Sequence, residues 1–547
     1  MCKILFIVPP HITFNHFIKP SYNAQVVQKG CGSYGRVLTD IPLGVLSLSA
    51  YLKKHTAVET KLIDFNVILN KVEGFKFNSF SEFFRDFLSA PMLAEYNPTI
   101  IGISALFAPA YHSMCNIAEV CRDVFPNAAI IAGGSVPTSM YNETYRDSDC
   151  FDALCYGEGE KPLLGLVKAG DKSRYLDENP SWITRRKVEN RQPLRPDLIE
   201  DLDEIPFYDY GILNVDDYGM NPTISAYLSI DKKKRNMPNM TSRGCVFRCC
   251  FCSVHTVHGR RMRYYSIKRV REDFKRIRDE YDIQTIIFQD DHFMASKERA
   301  YEIFDILHDL RLTAFFPNSL AIYALDRKML EALKGVGVNQ LILAAESGSK
   351  RVLKEIMHKP LNLSMVRRVA DDCRELGIYT DMNILIGLPG ETKQDIEDTR
   401  AFLRTVSPNW VRINIATPLV GSEMFEIAMK NNYLKDDYVG GDFKKGVIET
   451  ADFTAEYIEE MSYIMNLECN FVANSDFRLG NYEVALKGFE NAIRAKNDHA
   501  IAYYYAAKCY EKLGDSKRSQ EYMDTAKTCA EKPFWRKYID IFNIPLQ

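Results

Sequence analysis

The chain has 547 residues, 46% of them hydrophobic and 26% charged, with a net charge of -3. That length exceeds one ordinary core and, at roughly 150 residues per domain, predicts three or four domains. The composition excludes a disordered or fibrous chain, and near-neutrality excludes a nucleic-acid binder held by a broad basic surface. The one basic run, Lys232 to Arg235, reads as a solvated loop.

The opening MCKILFIVPP is a short apolar run closed by two prolines and lacking a small-residue cleavage site, so it predicts a buried strand and not a signal peptide. No segment reaches the ~18 apolar residues of a membrane span. The fourteen cysteines are mostly scattered singly, as reduced thiols are in an intracellular protein, and one cluster breaks that pattern. The expected location is the cytoplasm.

Residues 1 to about 170 alternate strand and helix: KILFIVP, LGVLSLSAYLKKH, TKLIDF, TIIGISAL, a helix from Tyr111 to Phe125, then AAIIAGG. Continuous apolar strands between amphipathic helices predict a parallel sheet covered on both faces, a Rossmann-like domain. Gly133, Gly134 and Ser135 follow one strand, and Gly157 and Glu158 follow another ending near Cys155. Such glycines make tight strand-to-helix turns or let a ligand approach the backbone.

From 171 to 235 the sequence is polar and Pro-rich, and reads as an interdomain linker. From 236 to 440, strands at TIIFQDD, TAFFPNSL, QLILAAES, TDMNILIGLPG and WVRINIATP alternate with helices and predict a complete or partial β/α barrel. Residues 441 to 547 change to an all-α pattern. Within them, from about 471, Gly480 and Gly514 lie 34 residues apart in similar settings, which is the tetratricopeptide period. Any antiparallel helical hairpin is the alternative. About two repeats make a short solenoid that needs the barrel for support.

The chemistry centres on TSRGCVFRCCFCSVH. Cys245, Cys249 and Cys252 form C-x3-C-x2-C, able to give three thiolates to one iron–sulfur cluster and leave one iron open. Cys250 fits no ligand position, and exchanging it for Cys249 changes the spacing. A zinc site with His255 or His258 as fourth ligand is the rival.

This motif, with Phe251 at its aromatic position, resembles the signature of the radical S-adenosylmethionine (SAM) superfamily, and the resemblance spans 236 to 440. It implies a [4Fe-4S] cluster and S-adenosyl-L-methionine as cofactors. It also implies that Asp290 and Asp291 meet the cosubstrate's amino group, that Glu346 meets its ribose, and that Gly387 to Glu391 form the adenine-side turn. Residues 1 to 170 resemble the cobalamin-binding domain of one branch of that superfamily, at IPLGVLSLSAYL, LIDFN, PTIIGISAL, IIAGGS and YGEGEKPLL. The D-x-H-x-x-G fingerprint that supplies a histidine to cobalt is absent. Ser104, Tyr111, Gly133, Gly134, Ser135, Gly157 and Glu158 are the implied cobalamin contacts, with Tyr111 and His112 also considered as axial ligands, although a packed or capping role suits them better.

Together the two resemblances imply a methyltransferase that moves a methyl group from methylcobalamin to an unactivated carbon or phosphorus of a peptide or small molecule. The alternative is a radical enzyme with the same cofactors that cyclises, rearranges or oxidises. A ligand-sensing scaffold without catalysis is the third reading. A one-electron reductant of flavodoxin or ferredoxin type is the implied partner, and the C-terminal helices are a possible peptide contact.

Overall fold

The computed structural model describes residues 2–20, 26–30, 32–218, 234–359, 361–435, 438 and 445–546. Lys232 and Lys233 of the basic run, with residues 219–233 of the linker, lie outside the described residues.

Strands β1 (Cys2–Val8), β2 (Val58–Asp64), β3 (Ile100–Ser104), β4 (Ala129–Gly133), β5 (Ala153–Cys155) and β6 (Trp182–Ile183) form one sheet. Their order is β2-β1-β3-β4-β5-β6, parallel except for the last pair. Alternate residues of β1 enter opposite cores: Ile4, Phe6 and Val8 pack with Val45, Leu52 and Leu163, whereas Leu5 and Ile7 pack with Tyr111, Met114 and Ile117. Both faces are therefore covered, which is why these strands read as unbroken apolar runs. The order reverses between β1 and β3, and ligands bind at that point beyond the carboxyl ends of the strands.

The linker is more structured than its composition predicted. A helix at Lys172–Glu178 leads to β6, where Trp182 pairs with Cys155 and is fully buried. A two-residue strand carries no readable periodicity, so the sheet extends past residue 170. Ile199, Leu202, Ile205, Tyr208 and Tyr210 then pack into the core of the central domain.

That domain contains β7 (Asn236–Asn239), β8 (Ser242–Arg243), β9 (Arg263–Tyr264), β10 (Thr285–Phe288), β11 (Thr313–Phe315), β12 (Gln340–Glu346), β13 (Tyr379–Ile386) and β14 (Trp410–Ile415). The expected barrel is two parallel three-stranded sheets, β11-β10-β7 and β12-β13-β14, with no ladder joining β11 to β12 among the described residues. Helices between the strands share one apolar core with both sheets. The strand β7 (NMPN) escaped the sequence reading because its proline and asparagines carry no strand pattern.

The C-terminal part is helical. Ala455–Leu467 supplies Ile458, Met461 and Met465 to the central core, so the all-α appearance from 441 hides a packed boundary. Four further helices, Tyr482–Ala495, Ala500–Lys512, Ser516–Ala530 and Pro533–Phe542, enclose Phe489, Ala506 and Trp535. Gly480 and Gly514 both end a helix at φ 81°, a left-handed position that favours glycine. The helices dock on the central domain through Asn470, which exchanges two hydrogen bonds with Val411, and Asp476, which pairs with Arg374. Among the described residues no helix is long and apolar enough to cross a membrane.

Candidate functional site

The cysteine loop, 244–262, is closed at its neck by β8 and β9, where Arg243 faces Arg263. Gly244 turns the chain at φ 94°, and a Cβ there would stand 2.3 Å from the carbonyl oxygen of Arg261. The Gly244 N–H donates to Asp291 at 2.8 Å, and His258 Nδ1 meets the same carboxylate oxygen at 2.7 Å. Cys250 is anchored by its backbone: its N–H donates to Met357 and its carbonyl accepts from Met424.

These bonds divide the four thiols. Cys245, Cys249 and Cys252 are half-buried, and burial raises their thiol pKa values, with Cys252 adding to the rise at Cys245 and at Cys249. Burial pushes Cys249 up to about 11, while Lys359 pulls in the opposite sense. Cys250 sits in the apolar core, its thiol pushed up to about 12 by burial. It packs in the core, whereas the other three thiols stay partly exposed. Phe251 lies half-buried against the same core. The zinc reading has no support from geometry: His258 is engaged by Asp291, and no three His, Cys, Asp or Glu side chains among the described residues gather around one ion position. A cubane spreads its irons, so its ligands need not converge on one point.

Asp290 and Asp291 follow β10, but their carboxylates face the cysteine segment. Asp290 is buried and accepts from the Thr241 N–H, the Thr241 hydroxyl at 2.7 Å and the Ser242 hydroxyl at 2.6 Å. With those bonds made, it holds the strand end that enters the loop. Asp291 holds Gly244 and His258 in the same way.

Glu346 ends β12 at a bulge, at φ 64°, a left-handed conformation rare for a non-glycine residue. Its carboxylate pairs with Lys359 at 3.2 Å. That lysine, with Tyr323, Lys350, Lys354, His358 and Asn362, borders a cavity of about 710 Å³, and Tyr323 packs against Phe247 of the cysteine loop. Gly387 turns at φ 88° after β13 and donates to Glu391 at 2.6 Å; Leu388 donates to the same oxygen at 3.1 Å. Glu391 is fully buried, its other oxygen has no partner, and burial pushes its carboxyl up to about 8. It braces the turn from inside.

In the first domain, Ser104 pairs with Gly133 at the carboxyl ends of β3 and β4. A Cβ on Gly134 would lie 2.5 Å from the Ala105 carbonyl oxygen, and the Ser135 hydroxyl donates to Leu106. Leu106 and Phe107 leave this edge 56% and 44% exposed, an apolar surface at the point where the strand order reverses. His11, after β1, lies edge-on to Phe107 with its buried Nδ1 unpartnered. Tyr111 is buried and donates to Asp147 at 2.7 Å, so it is a core residue, and His112 is exposed on the helix surface.

Gly157 and Glu158 lie where the first sheet meets the cysteine loop. A Cβ on Gly157 would lie 2.8 Å from Pro196, so this glycine marks close chain approach. Glu158 is buried and bound by Arg263 through two hydrogen bonds, at 2.6 and 2.9 Å, and by Arg243 at 3.2 Å. Glu160 binds Arg243 at 2.8 Å and accepts from Ser47 at 2.6 Å. Burial opposes ionisation of Glu158, yet the two arginines hold it down at about 2. Its carboxylate faces the cysteine loop's neck and not the sheet edge. The arginines were invisible as site residues because nothing local marks them; only the SRG step before Cys245 could have drawn attention.

The carboxyl edge of the first sheet thus abuts the cysteine loop, with Ser139 also meeting Thr256 at 3.4 Å. Residues 239–403 match the radical SAM superfamily model and residues 38–167 match the B12 binding domain model. An uncharacterized methyltransferase of Pyrococcus horikoshii is 30% identical over 347 residues, covering 63% of this chain and 72% of that protein. The chain belongs to the B12-binding branch of the radical SAM superfamily. The cytidylyl-2-hydroxyethylphosphonate methyltransferase of Streptomyces wedmorensis is 25% identical, covering 78% of this chain and 86% of that protein. An anaerobic magnesium-protoporphyrin IX monomethyl ester cyclase of Rubrivivax gelatinosus is 26% identical over 61% of this chain and 59% of its own length. The cobalamin-dependent radical SAM enzyme OxsB has the same fold, with TM-score 0.60, 14% identity and coverage of 99% of this chain and 80% of that one. Membership brings a [4Fe-4S] cluster, S-adenosylmethionine and cobalamin, and the residues suit them: three half-buried thiols on one loop with the fourth buried in the core, and an exposed apolar strip at the sheet's switch point.

Proposed function

We propose that this radical SAM protein is a cobalamin-dependent methyltransferase that acts on an unactivated carbon or phosphorus centre. The supporting observation is the direct apposition of the B12-type sheet edge and the cysteine loop, because a methyl donor and a radical source can act on one atom only if they share one cavity. When bound, the cofactors supply homolytic hydrogen abstraction and a transferable methyl group. The chain supplies placement. Cys245, Cys249 and Cys252 hold the cluster; Phe251, Glu346 and the turn at Gly387 bound the cosubstrate; and Ser104, Gly133, Gly134 and Ser135 allow the corrin to approach the backbone. Asp290 and Asp291 hold the loop, and Glu391 holds the turn. The cavity beside Lys359 has the size of a small-ligand site. A flavodoxin- or ferredoxin-type protein supplies electrons.

Anaerobically loaded enzyme is incubated with a metabolite extract, a strong reductant and S-adenosylmethionine carrying a deuterated methyl group, and untargeted mass spectrometry follows the label. The expected result is one species gaining one labelled methyl, with S-adenosylhomocysteine and 5′-deoxyadenosine formed in comparable amounts. A changed metabolite without label, accompanied by 5′-deoxyadenosine, overturns methyl transfer and establishes a non-methylating radical reaction.

A further inference from the structure

We propose that Arg243, Arg263, Glu158 and Glu160 form a positioning clasp that sets the spacing between the cysteine loop and the cobalamin-binding sheet. The inference rests on the reading that both cofactors are loaded, and it concerns residues that bind one another across the join.

Two cations and two anions, each side chain no more than 5% exposed, meet where the two domains join. Their charges cancel, so the cluster is neutral as a unit. The arginines are the facing pair at the neck of the cysteine loop. Glu158 lies in the turn after β5 of the first sheet, and Glu160 opens the helix Glu160–Lys168 that follows. Arg263 grips both oxygens of Glu158 and also donates to the carbonyls of Ile199 at 2.6 Å and His258 at 2.9 Å. Arg243 spans Glu158 and Glu160, and Ser47, on the helix Leu43–His55, donates to Glu160. The Ile199 N–H donates to the second Glu158 oxygen at 3.1 Å. Loop, sheet, covering helix and linker therefore all end on one pair of carboxylates.

Such a cluster is a poor way to gain stability, because desolvating the ions offsets most of their attraction and apolar residues of equal volume do as well. What it supplies is orientation: a planar guanidinium bound at two oxygens fixes an angle as well as a distance. A shift of the neck moves all three cysteines as one body, since Gly244, His258 and Arg263 are tied together through Asp291 and the neck ladder. Gly157, one residue before the clasp, has no room for a side chain, since a Cβ there would stand 2.8 Å from Pro196 of the linker and 3.5 Å from the Val257 carbonyl oxygen of the cysteine loop, so sheet, linker and loop meet at that point.

The test measures the separation of the two metal centres in loaded enzyme, reduced to cobalt(II) and to the one-electron-reduced cluster, by pulsed dipolar electron paramagnetic resonance. Wild type should give one narrow distribution. Glu158→Gln and Arg263→Lys should broaden or displace it while iron and corrinoid contents stay at wild-type levels. Arg85→Ala, which breaks an exposed pair with Asp123 elsewhere, should leave it unchanged. In the same variants 5′-deoxyadenosine formation should stay within about twofold while S-adenosylhomocysteine falls by about 10- to 100-fold, because misplacing a reacting centre by about 1 Å costs that much. Should Glu158→Gln fail to fold, Arg263→Lys and Glu160→Gln retain most contacts and carry the test. An unchanged narrow distribution in folded variants overturns the clasp. If wild type retains no corrinoid, the methyltransferase reading falls. The clasp is then decided by amide exchange, which it predicts to rise together in 156–160 and 244–262 of the variants; unchanged exchange overturns it.

Discussion

Glu391→Gln isolates a buried carboxyl whose cost is legible in the structure. One oxygen accepts the Gly387 and Leu388 N–H groups; the other is sealed without a partner. Burial raises its pKa from the ordinary 4.5 to about 8, against the lowering effect of the two backbone bonds. A carboxyl raised in the folded state stabilises fully below the unfolded value and loses that contribution as pH rises toward the folded value. Between about pH 4.5 and 8 the unfolded chain ionises while the folded one stays protonated. At about 1.4 kcal/mol per pKa unit the loss reaches on the order of 5 kcal/mol by pH 8, a ceiling that local opening of the turn reduces to roughly 2–4 kcal/mol. Glutamine keeps the accepting oxygen and removes the ionisation. Urea denaturation of both proteins at pH 5, 6.5 and 8 should show near-equal stability at pH 5 and a growing advantage for the variant above it. S-adenosylmethionine affinity should change less than about threefold, since a sealed residue makes no ligand contact. Parallel pH profiles, or a large loss of cosubstrate affinity in a variant of unchanged stability, would refute the bracing role.

Replacing Cys245, Cys249 or Cys252 with Ala should remove the four-iron cluster from anaerobically reconstituted protein, whereas Cys250→Ala should keep most of it, as iron and sulfide analysis will show; loss in the Cys250 variant alone reverses the ligand assignment. Asp290→Ala leaves the Thr241 N–H and two hydroxyls without their acceptor, and should cost about 3–5 kcal/mol and lower cluster retention, measured by denaturation and visible absorbance. The cobalt(II) spectrum of bound corrinoid should lack nitrogen splitting from a protein histidine; splitting that disappears in His11→Ala assigns that residue to cobalt instead. Gly514→Ala, at φ 81°, should destabilise the C-terminal helices by about 1 kcal/mol in thermal denaturation.

The cysteine spacing, the apolar strand runs of the first sheet and the 34-residue glycine interval were legible in the sequence because each is local: thiolate ligands on one loop, both-faces burial and a left-handed helix end all leave short patterns. The direction a side chain takes is not local. Asp290, Asp291, Glu158 and Glu391 stand at strand ends, where ligand contacts are expected, yet each carboxylate turns toward protein donors supplied by segments from 3 to 105 residues away. Short β6 and proline-bearing β7 carried no periodicity and formed only because neighbouring strands offered them ladders. The sequence by itself determined which chemistry the chain can carry, since three thiols at fixed spacing need only their own loop. Tertiary structure alone decided which charged residues are tied into the frame, because a buried ion must find its partner wherever folding brings one within reach.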